Sequence, residues 1–296
     1  MSDPQIVRSV AEIRERLDPV RREEKRIGLV PTMGALHRGH VRLIECARSQ
    51  CDTVVVSIFV NPLQFGPDED FLRYPRPLAQ DTAVCAENGV DIIFAPETQE
   101  MYSGHLFTFV EVTRVAEHLC GPYRPGHFRG VATVVMKLLQ IVQPSFAYFG
   151  RKDAQQSRII TQMARDLNLD SEIVVCPIVR EPDGLAMSSR NAYLSAEERK
   201  AATVLNRALG AAKDEVAAGV RDSLQLQTVL HRVLGAEKLA RVDYAEIVDA
   251  ETFEPVLRLN KPCFVVLAVF IGKTRLIDNL FIEPKAPGSD ELLFHF

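Results

Sequence analysis

Short apolar runs recur through the first half of the chain with helix-length stretches between them, and this alternation limits the fold more than any other feature. The runs are IGLVPT at 27–32, TVVVSIFV at 53–60, DIIFAP at 91–96, SFAYFG at 145–150 and SEIVVCPIV at 171–179. Between or before them lie a polar amphipathic stretch near 9–25, HVRLIECARSQ at 40–50, GVATVVMKLLQIVQ at 130–143 and KDAQQSRIITQMARDLN at 152–168. Strands that are apolar nearly throughout must be buried on both faces, and helical crossovers provide that cover only for a parallel sheet. The expected fold class is therefore α/β, a Rossmann-like doubly wound parallel sheet.

Past about residue 185 the pattern changes. An Ala- and Glu-rich helical stretch from Ser195 and a second helix from about Asp222 are followed by RVDYAEIVDA and CFVVLAVFIGKTRLIDNLFIE with no helix between them. Neighbouring strands of this kind predict a smaller C-terminal α+β domain with an antiparallel sheet. Pro182 and Gly184 break any regular element in VREPDGLAMSSRN, so the expected division is 1–185 and 186–296.

Composition excludes several partners. A net charge of −4 with both signs interspersed carries no footprint for nucleic acid or an anionic membrane surface. The longest apolar run, 263–272, is too short to span a bilayer. The six cysteines form no CxxC pair and the amino terminus lacks a secretory pattern, so reduced thiols and a cytoplasmic location are expected.

In open α/β sheets ligands bind beyond the carboxyl ends of the strands. Three polar segments fall at such ends: PTMGALHRGH (31–40), NPLQF (61–65) and FGRKDAQQ (149–156). No GxGxxG or GxxxxGK[ST] is present; GKT at 272–274 has Leu267 where a P-loop needs glycine, and is expected to be a strand or turn. At the first segment, Gly34 and Gly39 would let backbone approach a ligand, and a helix beginning near His37 to His40 would offer unpaired N–H groups to an anion. Imidazoles there can donate to phosphate oxygens. The competing reading is a helix start with two surface histidines, while zinc is disfavoured because HxxH supplies two ligands and no third is near. Ser188, Ser189 and Arg190 in AMSSRNAYL form a second candidate polyphosphate grip, beside a separate capping box at Ser195 and Glu198. Lys152 at a helix start opposes the macrodipole preference and suggests an anionic guest, whereas Asp153 fits an N-cap.

PTMGALHRGH, SIFVNPLQF, RPGHFRGVATVV, FGRKDAQQ and VREPDGLAMSSRNAYLS, in this order, resemble the pantothenate synthetase (pantoate:beta-alanine ligase) family, within the wider group of HxGH nucleotidyl transferases. The resemblance runs from about 5 to about 283. It implies that (R)-pantoate is adenylated by ATP and that β-alanine then displaces AMP to give pantothenate. His37, Arg38, Gly39 and His40 match the HxGH loop, and Met187, Ser188, Ser189 and Arg190 match the KMSKS-like loop, with arginine in place of the more general lysine. On this resemblance His40, His37, Lys152, Ser188, Ser189 and Arg190 are the expected catalytic residues. Met33, Gly34, Ala35, Leu36, Gly150, Arg151, Asp153 and Val179 join them around ATP. Pro31, Thr32, Gln64 and Gln156 are expected at pantoate, with Gln64 bordering β-alanine and Arg124 and His127 as further contacts.

Magnesium is expected with ATP, and Asp81 is its candidate ligand, against an ordinary surface aspartate opening a helix near 81–88. The loop 66–77 is a candidate cover for the cleft, and the resemblance implies a homodimer. Two other functions compete: a nucleotidyl transferase acting on a phosphate acceptor, and a nucleotide-binding regulatory module without turnover. Gln64 and Gln156 in separate loops beside an intact HxGH favour the ligase.

Overall fold

The structure is a computed structural model and describes residues 3–67, 69–286, 289 and 291–296. The chain forms two compact units, Met1–Arg151 with Gln155–Cys176, and Pro177–Phe296 with Lys152–Ala154.

The first unit holds six strands: β1 (Gln5–Val7), β2 (Ile27–Thr32), β3 (Thr53–Ile58), β4 (Ile92–Phe94), β5 (Phe146–Gly150) and β6 (Glu172–Cys176). They lie in the order β1-β4-β3-β2-β5-β6, and every pairing is parallel. The helices are α1 (Val10–Arg22), α2 (Arg38–Gln50), α3 (Leu78–Glu87), the single turns α4 (Thr98–Met101) and α5 (Cys120–Tyr123), α6 (His127–Val142) and α7 (Ala154–Asp166). Period-two alternation sends Leu29 and Val55 into one core layer with Ile13 and Leu17 of α1 and Val135 and Leu138 of α6. Val30, Val54 and Val56 enter the other with Leu43 and Ile44 of α2 and Cys85 of α3. This two-sided burial is why the strands read as unbroken apolar runs. Strand order reverses between β2 and β5, which makes their carboxyl ends the topological switch point.

The second unit holds α8 (Ala196–Ala201), α9 (Val204–Ala217), α10 (Ser223–Gly235) and strands β7 (Ala240–Asp249), β8 (Cys263–Ile271), β9 (Thr274–Pro284) and β10 (Leu292–His295). The sheet is antiparallel in the order β10-β9-β8-β7. Leu205, Leu209, Leu226 and Leu230 of α9 and α10 pack on Ile247, Val265, Leu267 and Leu280, so one face of the sheet makes this core.

Several sequence expectations change. The stretch from Ser195 is two helices rather than one, and β1 and β10 were not anticipated, because three- and four-residue strands are too short to show a period. GKT spans the β8–β9 turn, with Gly272 at φ +58. Among the described residues no helix is long and apolar enough to cross a membrane.

Candidate active site

The carboxyl end of β2 is built around a buried carboxylate. Thr32 Oγ1 donates to the Ser57 carbonyl at 2.7 Å and accepts the Gly34 N–H at 3.1 Å, which starts a sharp turn. Gly34 and Ala35 then take positive φ, +83 and +51; a non-glycine residue there needs outside support. Asp81 of α3 supplies it. Its Oδ2 accepts the Ala35 N–H at 2.9 Å and its Oδ1 the Leu36 N–H at 2.7 Å, with the residue 2% exposed. Burial raises its carboxyl above the usual value, against the lowering effect of the two N–H bonds. Neither expectation for Asp81 as a surface group or helix opener holds: α3 starts at Leu78 and the side chain points into the turn.

Helix α2 begins directly after this turn and is capped by imidazoles. His37, the N-cap, accepts the Gly39 N–H on Nδ1 at 3.1 Å, and His40 accepts the His37 N–H on its own Nδ1 at 3.3 Å. An Nδ1 that accepts carries no proton, so each neutral ring bears its hydrogen on Nε2. The ring centroids are 4.1 Å apart. The pair sits at a helix N-terminus, where backbone N–H groups already favour an anion.

At the carboxyl end of β3, Pro62–Gln64 form a 3₁₀ turn held by Asn61, which is 1% exposed. Asn61 Nδ2 donates to Gln64 Oε1 at 3.0 Å and to the Gly130 carbonyl at 3.1 Å, and its Oδ1 accepts from the Tyr102 hydroxyl at 2.8 Å. With its oxygen fixed, the Gln64 amide turns Nε2 toward Met33 Sδ at 3.3 Å. Beyond β5, Gly150 leads into the Arg151–Asp153 3₁₀ turn and α7. The Lys152 ammonium lies 3.7 Å from Asp153 Oδ1 and is mostly shielded, whereas Asp153 is half exposed. The adjacent glutamines divide. Gln155 is buried and bonds Cys120 N–H, Val115 carbonyl and His118 carbonyl, while Gln156 is half-buried.

In the second unit, Arg180 and Ala186 bridge and Met187 N–H donates to the Val179 carbonyl at 2.9 Å, closing a hairpin through Gly184 at φ +91. Ser188 then caps the Ser189–Tyr193 3₁₀ turn, its Oγ accepting the Arg190 N–H at 3.3 Å. The capping box expected at Ser195 and Glu198 is present as well.

The family model described as pantoate-beta-alanine ligase matches residues 5–281. The chain belongs to that family. A pantothenate synthetase of Caldicellulosiruptor bescii is 51% identical over 95% of this chain and 99% of its own length. The solved pantothenate synthetase of Thermus thermophilus superposes with a TM-score of 0.89 at 46% identity, covering 93% of this chain and 98% of that one. The pantoate-beta-alanine ligase of Francisella tularensis, complexed with beta-gamma ATP and beta-alanine, has a TM-score of 0.76 at 35% identity, covering 93% and 97%.

Within this pantoate-beta-alanine ligase framework, Arg124 and His127 are both bonded to the carbonyl of Gln64. Arg124 grips Glu69 with two bonds of 2.5 Å and donates to His127 Nε2 at 3.0 Å and to the Gln64 carbonyl at 3.3 Å. His127 Nδ1, bearing the hydrogen that its Nε2 lacks, donates to the same carbonyl at 2.8 Å. Both residues thus hold the Gln64 carbonyl, Arg124 also holds Glu69, and Phe71 and Tyr74 pack on Phe65. Burial raises the Glu69 carboxyl, but the Arg124 hydrogen bonds and charge outweigh it and hold the group below its ordinary 4.5. A lowered carboxyl contributes stability that is complete above its unfolded value and is lost as pH falls through the folded one. We predict that hydrogen exchange in 69–77, normalised for intrinsic rate, rises as pH drops below 4.5 and that Glu69→Gln shows the raised rate at neutral pH. An unchanged profile in Glu69→Gln would remove the pair from this role.

Asn61 and Gly130 were not singled out in the sequence. A Cβ on Gly130 would lie 2.2 Å from the Leu63 carbonyl oxygen and 2.8 Å from Gln64 N, so only glycine fits at this closest approach of α6 to the Gln64 turn. Gly130→Ala is predicted to move that turn, lowering stability by about 1–3 kcal/mol and raising the KM for pantoate more than that for ATP. Denaturant unfolding and separate substrate titrations check this; equal KM changes would contradict it. Among the described residues no three His, Cys, Asp or Glu side chains gather as a metal site.

Proposed function

We infer that the chain condenses (R)-pantoate with β-alanine in an ATP-dependent reaction through pantoyl adenylate, releasing pyrophosphate and AMP. Family membership over nearly the full chain supports these substrates. A carboxylate cannot acylate an amine at neutral pH because its leaving group would be oxide. One pantoate carboxylate oxygen therefore attacks the α-phosphorus as the bond to pyrophosphate breaks. The β-alanine nitrogen next attacks the acyl carbon, the carbon–oxygen bond breaks, AMP departs and the amine proton passes to solvent base.

The observation that carries the reading is the imidazole pair at the switch point. Negative charge grows on phosphate oxygens during adenylation, and preorganised donors stabilise it best. His37 and His40 are proposed as hydrogen-bond donors to those oxygens. Met33 to Leu36, Arg38, Gly39, Gly150 to Asp153, Val179 and Met187 are proposed around the rest of ATP, with Ser188, Ser189 and Arg190 gripping its phosphates. Pro31, Thr32, Gln64 and Gln156 hold pantoate, and Gln64 borders β-alanine. Arg124 and His127 act by fixing Gln64.

Magnesium is proposed to arrive with ATP, bound by phosphate oxygens and water. Among the described residues the protein offers no ready cage, and the two Asp81 oxygens are already engaged by backbone. The chain is proposed to work as a cytoplasmic homodimer.

The test is stepwise. With ATP, magnesium and pantoate the protein should release pyrophosphate, and added β-alanine should then yield AMP and pantothenate. No pyrophosphate with pantoate sinks the reading; pyrophosphate only with a phosphorylated acceptor would favour a nucleotidyl transferase.

A further inference from the structure

Strand β9 runs eleven residues, and two of its polar side chains are buried: Asp278 and Asn279, each 2% exposed. Successive strand side chains leave on opposite faces. The register here is unbroken, with Leu267 opposite Asp278 and Val266 opposite Asn279, while β10 covers β9 only from Phe281 to Pro284. Each of the two residues holds a different segment.

Asp278 receives both arms of the Arg180 guanidinium, at 2.7 and 2.9 Å. Arg180 Nη1 also donates to the Gly184 carbonyl at 3.0 Å. The carboxylate thereby sets the hairpin that leads into Met187, Ser188, Ser189 and Arg190. Asn279 Nδ2 donates to the Lys152 carbonyl at 3.0 Å, which fixes the turn bearing the ammonium. A buried ion pair adds little stability over apolar packing of similar volume, so stability does not account for the Asp278–Arg180 pair. Geometry does.

We propose that Asp278 and Asn279 are positioning residues for adenylation, one dipeptide setting both segments that grip the ATP phosphates. The inference rests on the reading that Lys152 and Ser188 to Arg190 contact those phosphates. A group that loses its alignment by about 1 Å loses up to about 10²-fold in rate.

The test uses the full chain and single-turnover pyrophosphate release from ATP and pantoate. Asn279→Ala is expected to slow adenylation by about 10- to 100-fold. Asn279→Asp keeps the volume but offers the Lys152 carbonyl no donor, and should match the alanine variant. The second step, started from pantoyl adenylate and β-alanine, should keep its KM for β-alanine in both. If Asn279 acts through Lys152, then Asn279→Ala adds less than about 2-fold in a Lys152→Ala background. Wild-type adenylation in Asn279→Asp, or multiplicative losses in the double variant, would overturn the inference. Failure of both Asn279 variants to fold would overturn it as well, since the bond would then serve folding. A Lys152→Ala variant with normal adenylation would instead remove Lys152 from the phosphates, and the inference with it.

Discussion

His40→Ala is expected to slow adenylation by roughly 10²- to 10³-fold, the loss typical when one preorganised donor to a developing oxyanion is removed. The same change removes half of a helix cap, because His40 Nδ1 accepts the His37 N–H. Loss of a cap lowers stability by about 1 kcal/mol, which is too little to unfold the chain but enough to blur interpretation. His40→Asn separates the two effects. Its side-chain oxygen can take the place of Nδ1, so the cap survives, but it has no atom where Nε2–H stood. The prediction is near-normal thermal unfolding with adenylation as slow as in the alanine variant. His40→Gln, whose amide nitrogen reaches toward the Nε2 position, should recover part of the rate. Normal adenylation in folded His40→Asn would take His40 out of the donor role.

Asp81→Ala is expected to be the most destabilising single change in the first unit's site. Two part-buried backbone N–H groups lose their acceptor, each worth about 1–3 kcal/mol, and one belongs to Ala35 at positive φ. Removing a carboxylate that burial already penalises offsets part of this, leaving a net loss of about 2–4 kcal/mol. The turn 33–36 then no longer leads His37 into its cap, so adenylation should fall together with stability. Asp81→Asn keeps the shape but turns one acceptor into a donor facing N–H, and should fare little better. Denaturant unfolding and a magnesium titration decide between this account and a metal-ligand role. Normal stability with activity restored by excess magnesium would contradict the turn-building role.

The strands, the α/β class and the HxGH and MSSR segments were legible in the sequence because each depends on local pattern: unbroken apolar runs, turn residues and short spacing. What sequence could not resolve was pairing across distance. Nothing local reveals that Arg124 pairs with Glu69 of the charged loop, 55 positions earlier. The partners of Asp81 were equally hidden, because they are backbone N–H groups some 45 positions earlier, which have no sequence identity to read. Gln155 and Gln156 are chemically equal neighbours, and only the phase of α7 buries one and half-exposes the other. Asp278 and Asn279 were passed over inside a strand, although a buried acid and amide always require partners.

The most direct test of pantoyl adenylate follows an oxygen atom. With pantoate labelled by ¹⁸O in its carboxylate, attack on the α-phosphorus and later cleavage of the acyl carbon–oxygen bond must carry one labelled oxygen into AMP. Mass spectrometry of the products should find one ¹⁸O in AMP and none in pyrophosphate. Unlabelled AMP formed alongside pantothenate would contradict the account.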